Sequence, residues 1–222
     1  MTKGEAIWGF AYLVFQQFFL PSILLVMLNL LPVQLDLTGL NLVFYCVNFL
    51  AVALIFRRFF LANLDLATEA PALVGKTVLF GMARYFFLSM LVGSIIVAID
   101  PEFINFNDET IAAMAEMDPA LIALCTIVLV PPVEEGLYRG LIFRNLYQKN
   151  KVLAHLISTV AFAAIHLVGY LTEYTPMELF LAFLQYVPAG LCLAWAYERS
   201  GTIFTPVIMH ALVNAMGIAA MR

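Results

Sequence analysis

The sequence has 222 residues, of which 64% are hydrophobic and 12% charged, with a mean hydropathy of +0.96. Soluble domains carry about a quarter charged residues, so this composition excludes an ordinary soluble domain and points to a membrane protein. A formal net charge of −4 with no basic run argues against a nucleic-acid surface, and the length suits one bundle of about six to eight spans.

Seven segments are long and apolar enough to cross a bilayer: about 7–31, 38–56, 77–99, 119–147, 152–171, 177–197 and 202–221. The first follows Lys3, as a signal peptide would. No small-x-small cleavage site follows it, so it reads as a retained span, kinked at Pro21. Residues 57–76 open with Arg57-Arg58 and carry Leu61, Leu64 and Leu66 among polar positions. They are expected to form an amphipathic helix at the interface. Residues 100–118 hold six acidic residues and no Lys or Arg. Asp118-Pro119 then supplies an N-cap and a first-turn proline for the fourth span.

The loop charges orient the bundle. Lys3, Arg57, Arg58, Lys76, Lys149, Lys151 and Arg199 fall on one side. Loops 32–37, 100–118 and 172–176 contain no Lys or Arg, and only Arg222 breaks the pattern. The bias places the N-terminus inside and the C-terminus outside. The fold class is therefore all-α: a polytopic transmembrane bundle of about seven spans with one interfacial helix, forming a single membrane-embedded domain over 1–222. Cys46, Cys125 and Cys192 lie in apolar runs without metal or redox spacing and read as packing residues.

Span four is the informative one. Its 29 residues would extend about 43 Å if straight, more than a hydrocarbon core of about 30 Å, and Pro131-Pro132 interrupts it. A break or bend there is expected, with free backbone donors beside Glu134 and Glu135. Ionisable groups at this depth are expensive and mark function. Glu134 and Glu135 point about 100° apart, so they divide the work. Glu135 and Arg139 are spaced i, i+4 and can pair, while Glu134 is left to accept a proton as a general base. An intramembrane salt bridge that only fixes packing would account for one glutamate and one arginine, but not for the second glutamate.

Two of the three histidines are also deep in spans. His166 lies about two-thirds along the fifth, and His210 opens His210-Ala211-Leu212-Val213-Asn214 in the seventh, with Asn214 one turn on. Together with the spare glutamate they make a shared polar centre more economical than separate packing roles. His155, near Lys151, reads as interfacial. Gly136 and Gly140 are spaced as GxxxG and read as close helix packing. Gln185, Pro188 and Gly190 give a weaker signal of a shaped cavity.

Glu134-Glu135-x-x-x-Arg139, Phe162-x-x-x-His166 and His210-x-x-x-Asn214, in that order on successive apolar segments, resemble the CPBP family. These are the CAAX prenyl protease and bacteriocin-processing (Abi) intramembrane proteases. The resemblance covers about residues 100–221; Tyr138 departs from the phenylalanine common before the arginine. It implies a membrane-embedded endopeptidase acting on a membrane-anchored or prenylated peptide or protein. By position, Glu134 and His166 would activate a water, His210 and Asn214 would stabilise the oxyanion, and Glu135–Arg139 would prop the site. No cofactor is required on this reading. If a metal such as Zn takes part, Glu134, His166 and His210 are the candidate ligands, although no HExxH is present. The alternatives are a proton-coupled transporter, which lacks support from half-sequence symmetry, and a non-catalytic membrane immunity or scaffold protein. Small size and the lack of an organellar presequence point to a prokaryotic cytoplasmic membrane.

Overall fold

Ten helices follow from this apolar patterning in the computed structural model, which describes residues 1–30 and 37–220; among them there is no strand. Most of the loop read at 32–37, and Arg222, lie outside the described residues. Helices α1 (Lys3–Phe18) and α2 (Leu20–Asn29) lead to α3 (Leu37–Ile55), α4 (Arg57–Glu69) and α5 (Pro71–Ile99). Then come α6 (Phe106–Met117), α7 (Pro119–Tyr147), α8 (Lys151–Ile165), α9 (Pro176–Ser200) and α10 (Phe204–Ala220), with a 3₁₀ turn at Val168–Tyr170.

Four helices are long and apolar enough to cross a membrane: α3 from Thr38, α5, α7 and α9. Helices α1 and α2 qualify only together, bent by 57°, and the bend falls where the kink at Pro21 was expected. The apolar helices α8 and α10 are shorter, 15 and 17 residues. The structure thus supports four or five spans by length and composition, against the seven read from the sequence. The chain is an integral membrane protein on these apolar helices.

The expected interfacial helix is α4, shorter than 57–76 because α5 begins at Pro71. Leu61, Leu64 and Leu66 are exposed, while Phe59 and Asn63 turn inward. The Glu5 carboxylate accepts from Phe59 N–H (2.8 Å), and Asn63 Oδ1 accepts from Ile203 N–H (2.9 Å). Backbone groups at a helix end and a loop are thereby satisfied without water.

The acidic segment forms α6, capped by Asn105. Asp118 Oδ1 accepts from Leu121 N–H at 3.0 Å, and Pro119 takes the first turn, as its sequence position indicated.

Of the break or bend expected at Pro131-Pro132, the structure overturns the break. Helix α7 runs unbroken for 29 residues. The absence of proline N–H groups is accommodated by π-helical stretches at Leu124–Leu129 and Gly136–Phe143, either side of Val130–Glu135. Val130 N–H donates to Cys125 O and Arg144 N–H to Arg139 O, i to i−5. Such widening re-aims the side chains around it and frees carbonyls for other donors. Each stretch has a carbonyl used by another helix: Thr126 O accepts from Asn214 Nδ2 (2.7 Å), and Tyr138 O accepts from Ser158 Oγ (3.0 Å).

Helices α3, α8 and α10 pack against α7, and α5 packs against α9 and α10. The glycine pair works as packing: a Cβ on Gly140 would meet the Phe59 ring at 2.8 Å, and one on Gly136 the Phe60 ring at 3.1 Å. Leu137 and Leu141, with Val52, Phe56 and Ala194, fill the core on that side.

Candidate active site

The buried half of the site is built on Glu135 and Arg139, both fully inaccessible. One turn apart on α7, they pair through Arg139 Nη1 and Glu135 Oε1 at 3.0 Å. Arg139 Nη2 donates to Gly190 O of α9 at 3.0 Å, and the guanidinium carbon sits 4.4 Å from the Phe162 ring centre on α8. One cation thus joins three helices. A buried charge needs compensating partners, and these supply an anion, a carbonyl and an aromatic face, while Arg139 Nε and Glu135 Oε2 stay without a hydrogen bond.

Glu135 does more than neutralise Arg139. The same oxygen, Oε1, lies 2.8 Å from His210 Nδ1. With an ionised carboxylate the ring nitrogen must be the donor, so Nδ1–H is committed to Glu135 and Nε2 faces the cavity. On α8, His166 Nδ1 lies 2.8 Å from Phe162 O. A carbonyl can only accept, so Nδ1–H again is committed and Nε2 is the free nitrogen.

Glu134 is where these two nitrogens meet. Its Oε2 is 4.0 Å from His166 Nε2 and 4.0 Å from His210 Nε2, and that oxygen has no hydrogen-bond partner. Side-chain exposure separates the two glutamates: 22% for Glu134 and none for Glu135. One carboxylate is thus enclosed and paired, while the other lines the cavity with its unpartnered Oε2 turned inward.

That cavity, about 280 Å³, is lined by Glu134, His166, His210 and Asn214 together with Tyr186 and Asp108. Asn214 reaches it with one amide hydrogen already given to Thr126 O. A second cavity, bounded by Tyr45, Asn48 and Tyr138, shares Glu134 and His166 with the first. All six residues singled out in the sequence lie together, and His155 stands apart, paired with Glu198 at 2.8 Å.

The spacing of the three candidate donors bears on a metal. Tetrahedral Zn held at about 2.1 Å would put its ligand atoms roughly 3.4 Å apart. A water held at about 2.8 Å from two groups at a tetrahedral angle puts them about 4.6 Å apart. The observed 4.0 Å spacings lie between the two. Among the described residues no three His, Cys, Asp or Glu side chains are arranged to hold a metal ion.

Sequence reasoning missed Tyr186. Its ring stacks on His166, centroids 4.1 Å apart and planes within 17°, and its hydroxyl accepts from Asn107 Nδ2 at 2.9 Å. An aromatic in an apolar span has no pattern that marks it. Asp108 also went unassigned. Its Oδ2 accepts from Gln185 Nε2 at 3.2 Å, and burial pushes its carboxyl above the usual range against the pull of Gln185 and Tyr186. Gln185 thus helps shape the cavity, as the sequence hinted, while Gly190 acts through its carbonyl.

Residues 116–216 match the family model described as type II CAAX prenyl endopeptidase, Rce1-like. The chain is 31% identical over 149 residues to a Bacillus subtilis (strain 168) protein named "Putative membrane peptidase YdiL", covering 64% of this chain and 55% of that one. It is 33% identical over 95 residues to the UPF0177 protein YxdF of Lactococcus lactis subsp. lactis (strain IL1403), covering 43% and 47%. A 24.3 kDa protein of Escherichia coli, named as uncharacterized, is 34% identical over 104 residues, covering 46% and 44%. The chain spans about half the length of these curated relatives. No solved structure matches.

Proposed function

We propose, because residues 116–216 match the Rce1-like family model, that the chain is an intramembrane endopeptidase whose general base is Glu134. The observation that carries this is the convergence of the unpartnered Glu134 oxygen and two histidine Nε2 atoms at 4.0 Å spacings beside an open cavity. On this reading a water is held beside Glu134. Glu134 takes one proton as the water oxygen attacks the peptide carbonyl. The proton then passes to the departing amide nitrogen, leaving an acid and an amine.

His166 holds the water through Nε2 and is itself held by the Phe162 carbonyl and the Tyr186 ring. His210 is anchored through Nδ1 by Glu135; a second proton on its Nε2 makes the ring a cation that donates to the developing oxyanion, and the oxyanion balances that charge, since Glu135 already pairs with Arg139. The remaining amide hydrogen of Asn214 is the second donor. One such donor contributes about 3 kcal/mol to a tetrahedral transition state. No step in this scheme passes through a metal.

The substrate class that suits the site is a membrane-anchored peptide or protein, prenylated or otherwise lipid-linked. The two cavities that share Glu134 and His166 suit an extended chain laid across the base. The three relatives are bacterial, in keeping with a prokaryotic cytoplasmic membrane. Counting α8 and α10 as crossings restores seven spans, N-terminus inside, as the loop charges require. The test is cleavage of a lipid-anchored peptide panel by the purified chain. Glu134→Gln is isosteric and should lower the rate by at least about 100-fold; unchanged cleavage by this variant would remove Glu134 from the mechanism.

A further inference from the structure

The seam between α5 and α9, on the opposite side of these helices from the candidate active site, has two chemically different halves. At one end Lys76 and Arg84 of α5 and Arg199 of α9 line a groove with Leu73, Phe80 and Trp195. Farther along, Arg84 and Trp195 also border a second groove, walled by Phe87, Leu88, Leu191, Cys192 and His155. The α5 members, 73, 76, 80, 84, 87 and 88, recur at helical spacing, so the two grooves are one track along one face.

Three cations lie in the first half, and none of its lining residues is acidic. None of the three forms an ion pair among the described residues. The nearby Glu198 is committed elsewhere: it accepts from Tyr147 Oη at 2.6 Å, and it pairs with His155 at 2.8 Å. The Arg84 guanidinium lies 4.2 Å from the Trp195 ring centre. Arg84 is eight residues, about 12 Å, deeper along α5 than Lys76. A long cationic side chain at that depth snorkels toward the interface, and a tryptophan beside it marks the interfacial level.

We propose that this seam binds one anionic phospholipid of the membrane leaflet that faces Lys76 and Arg199. The phosphate sits among Lys76, Arg84 and Arg199, and an acyl chain runs down the apolar track past Phe87, Leu88 and Leu191. A soluble phosphate would use only the first half of the track, and a zwitterionic lipid would bring a cation into a site that already has three. Anionic phospholipid matches both halves.

The test uses the full chain in detergent, titrated with phosphatidylglycerol, with phosphatidylcholine of the same acyl composition and with inorganic phosphate. Bound lipid is counted by native mass spectrometry, and thermal unfolding is followed in parallel. Phosphatidylglycerol should form a one-to-one adduct, raise the Tm by a few degrees and outcompete phosphatidylcholine. Combined Lys76→Gln, Arg84→Gln and Arg199→Gln should weaken that adduct by roughly 100-fold, three charges near an anionic headgroup being removed. Should this variant not fold, Arg84→Gln alone should weaken it by roughly 5-fold. Lys149→Gln with Lys151→Gln removes cations that line neither groove and should leave the adduct intact.

Equal retention of the two lipids, protection by inorganic phosphate alone, or equal loss in the Lys149/Lys151 control would each overturn the proposal. Saturation by a prenylated peptide in place of phosphatidylglycerol would assign the seam to substrate and also overturn it. No arm depends on cleavage, so the result is independent of the peptidase reading.

Discussion

At the scale of single residues, the site depends on one oxygen doing two things. Glu135 Oε1 bonds both Arg139 and His210, so the pair that neutralises charge also aims a ring into the cavity. Removing one partner of a buried pair costs about 3–5 kcal/mol, whereas removing the charge from both costs far less. Arg139→Met should therefore lower the thermal midpoint by roughly 10 °C. The combined Glu135→Gln, Arg139→Met variant should regain at least half of that loss, since Gln can still accept from His210. Thermal unfolding in detergent decides this; a double variant as unstable as Arg139→Met would mean that packing, not charge, holds α7, α8 and α9 together. The i, i+4 spacing of Glu135 and Arg139 made their pairing legible in the sequence. The bond to His210 was not legible, because seventy-five residues separate the partners and nothing local reports where α10 sits.

At the scale of elements, the same limit recurs. A proline pair inside an apolar run signals lost backbone donors, and a break is the simplest outcome. Helix α7 instead stays continuous by π-widening, and the neighbouring Asn214 and Ser158 engage carbonyls within the widened turns. Such compensation comes from other helices and leaves no mark in the local sequence. Caps are different, since both partners lie within a few residues, and Asp118-Pro119 was readable for that reason.

The α8–α9 contact makes a second element-scale case. A Cβ on Gly190 would meet Thr159 Cγ2 at 2.7 Å and Thr159 Cα at 3.2 Å. Gly190→Ala should destabilise the chain by about 1–3 kcal/mol through overpacking and displace the carbonyl that holds Arg139. Adding Thr159→Ala removes the Cγ2 clash and leaves the Cα one, so recovery should be partial. Full recovery of the thermal midpoint would show that the side chain alone sets the helix separation.

Helix α6 carries a titratable group over the cavity, and its sign can be worked out. Burial raises the Asp108 carboxyl above its unfolded value, so the folded chain holds this proton more tightly than the unfolded chain. Stability from this group is present below the unfolded pKa of about 3.9 and is lost as pH rises through the folded value. Asp108→Asn should remove that loss. The thermal midpoints of variant and wild type should draw apart in the variant's favour as pH rises from about 4 toward neutrality. A gap that closes over this range would place the Asp108 carboxylate in a site that prefers its charge.

At the scale of the molecule, composition alone established a membrane protein, and loop charges proposed its orientation. Helix count was less legible. Apolar runs in the sequence do not reveal that α1 and α2 bend by 57°, or that α8 ends after 15 residues and gives way to turns. What the sequence conveyed well was order: three polar motifs along the chain, which α7, α8 and α10 bring together. The turn between α7 and α8 makes those two antiparallel neighbours, whereas α9 intervenes before α10.

The most direct measurement of the central claim is cleavage of a lipid-anchored peptide by the purified chain, wild type beside Glu134→Gln, His166→Ala and His210→Ala, with and without a chelator. A water activated by Glu134 and held by His166, with His210 donating to the oxyanion, predicts cleavage by the wild type that persists in chelator and is lost in all three variants. Cleavage that survives Glu134→Gln would contradict the account outright. Loss of wild-type cleavage on chelation, restored by added Zn, would contradict its metal-free form.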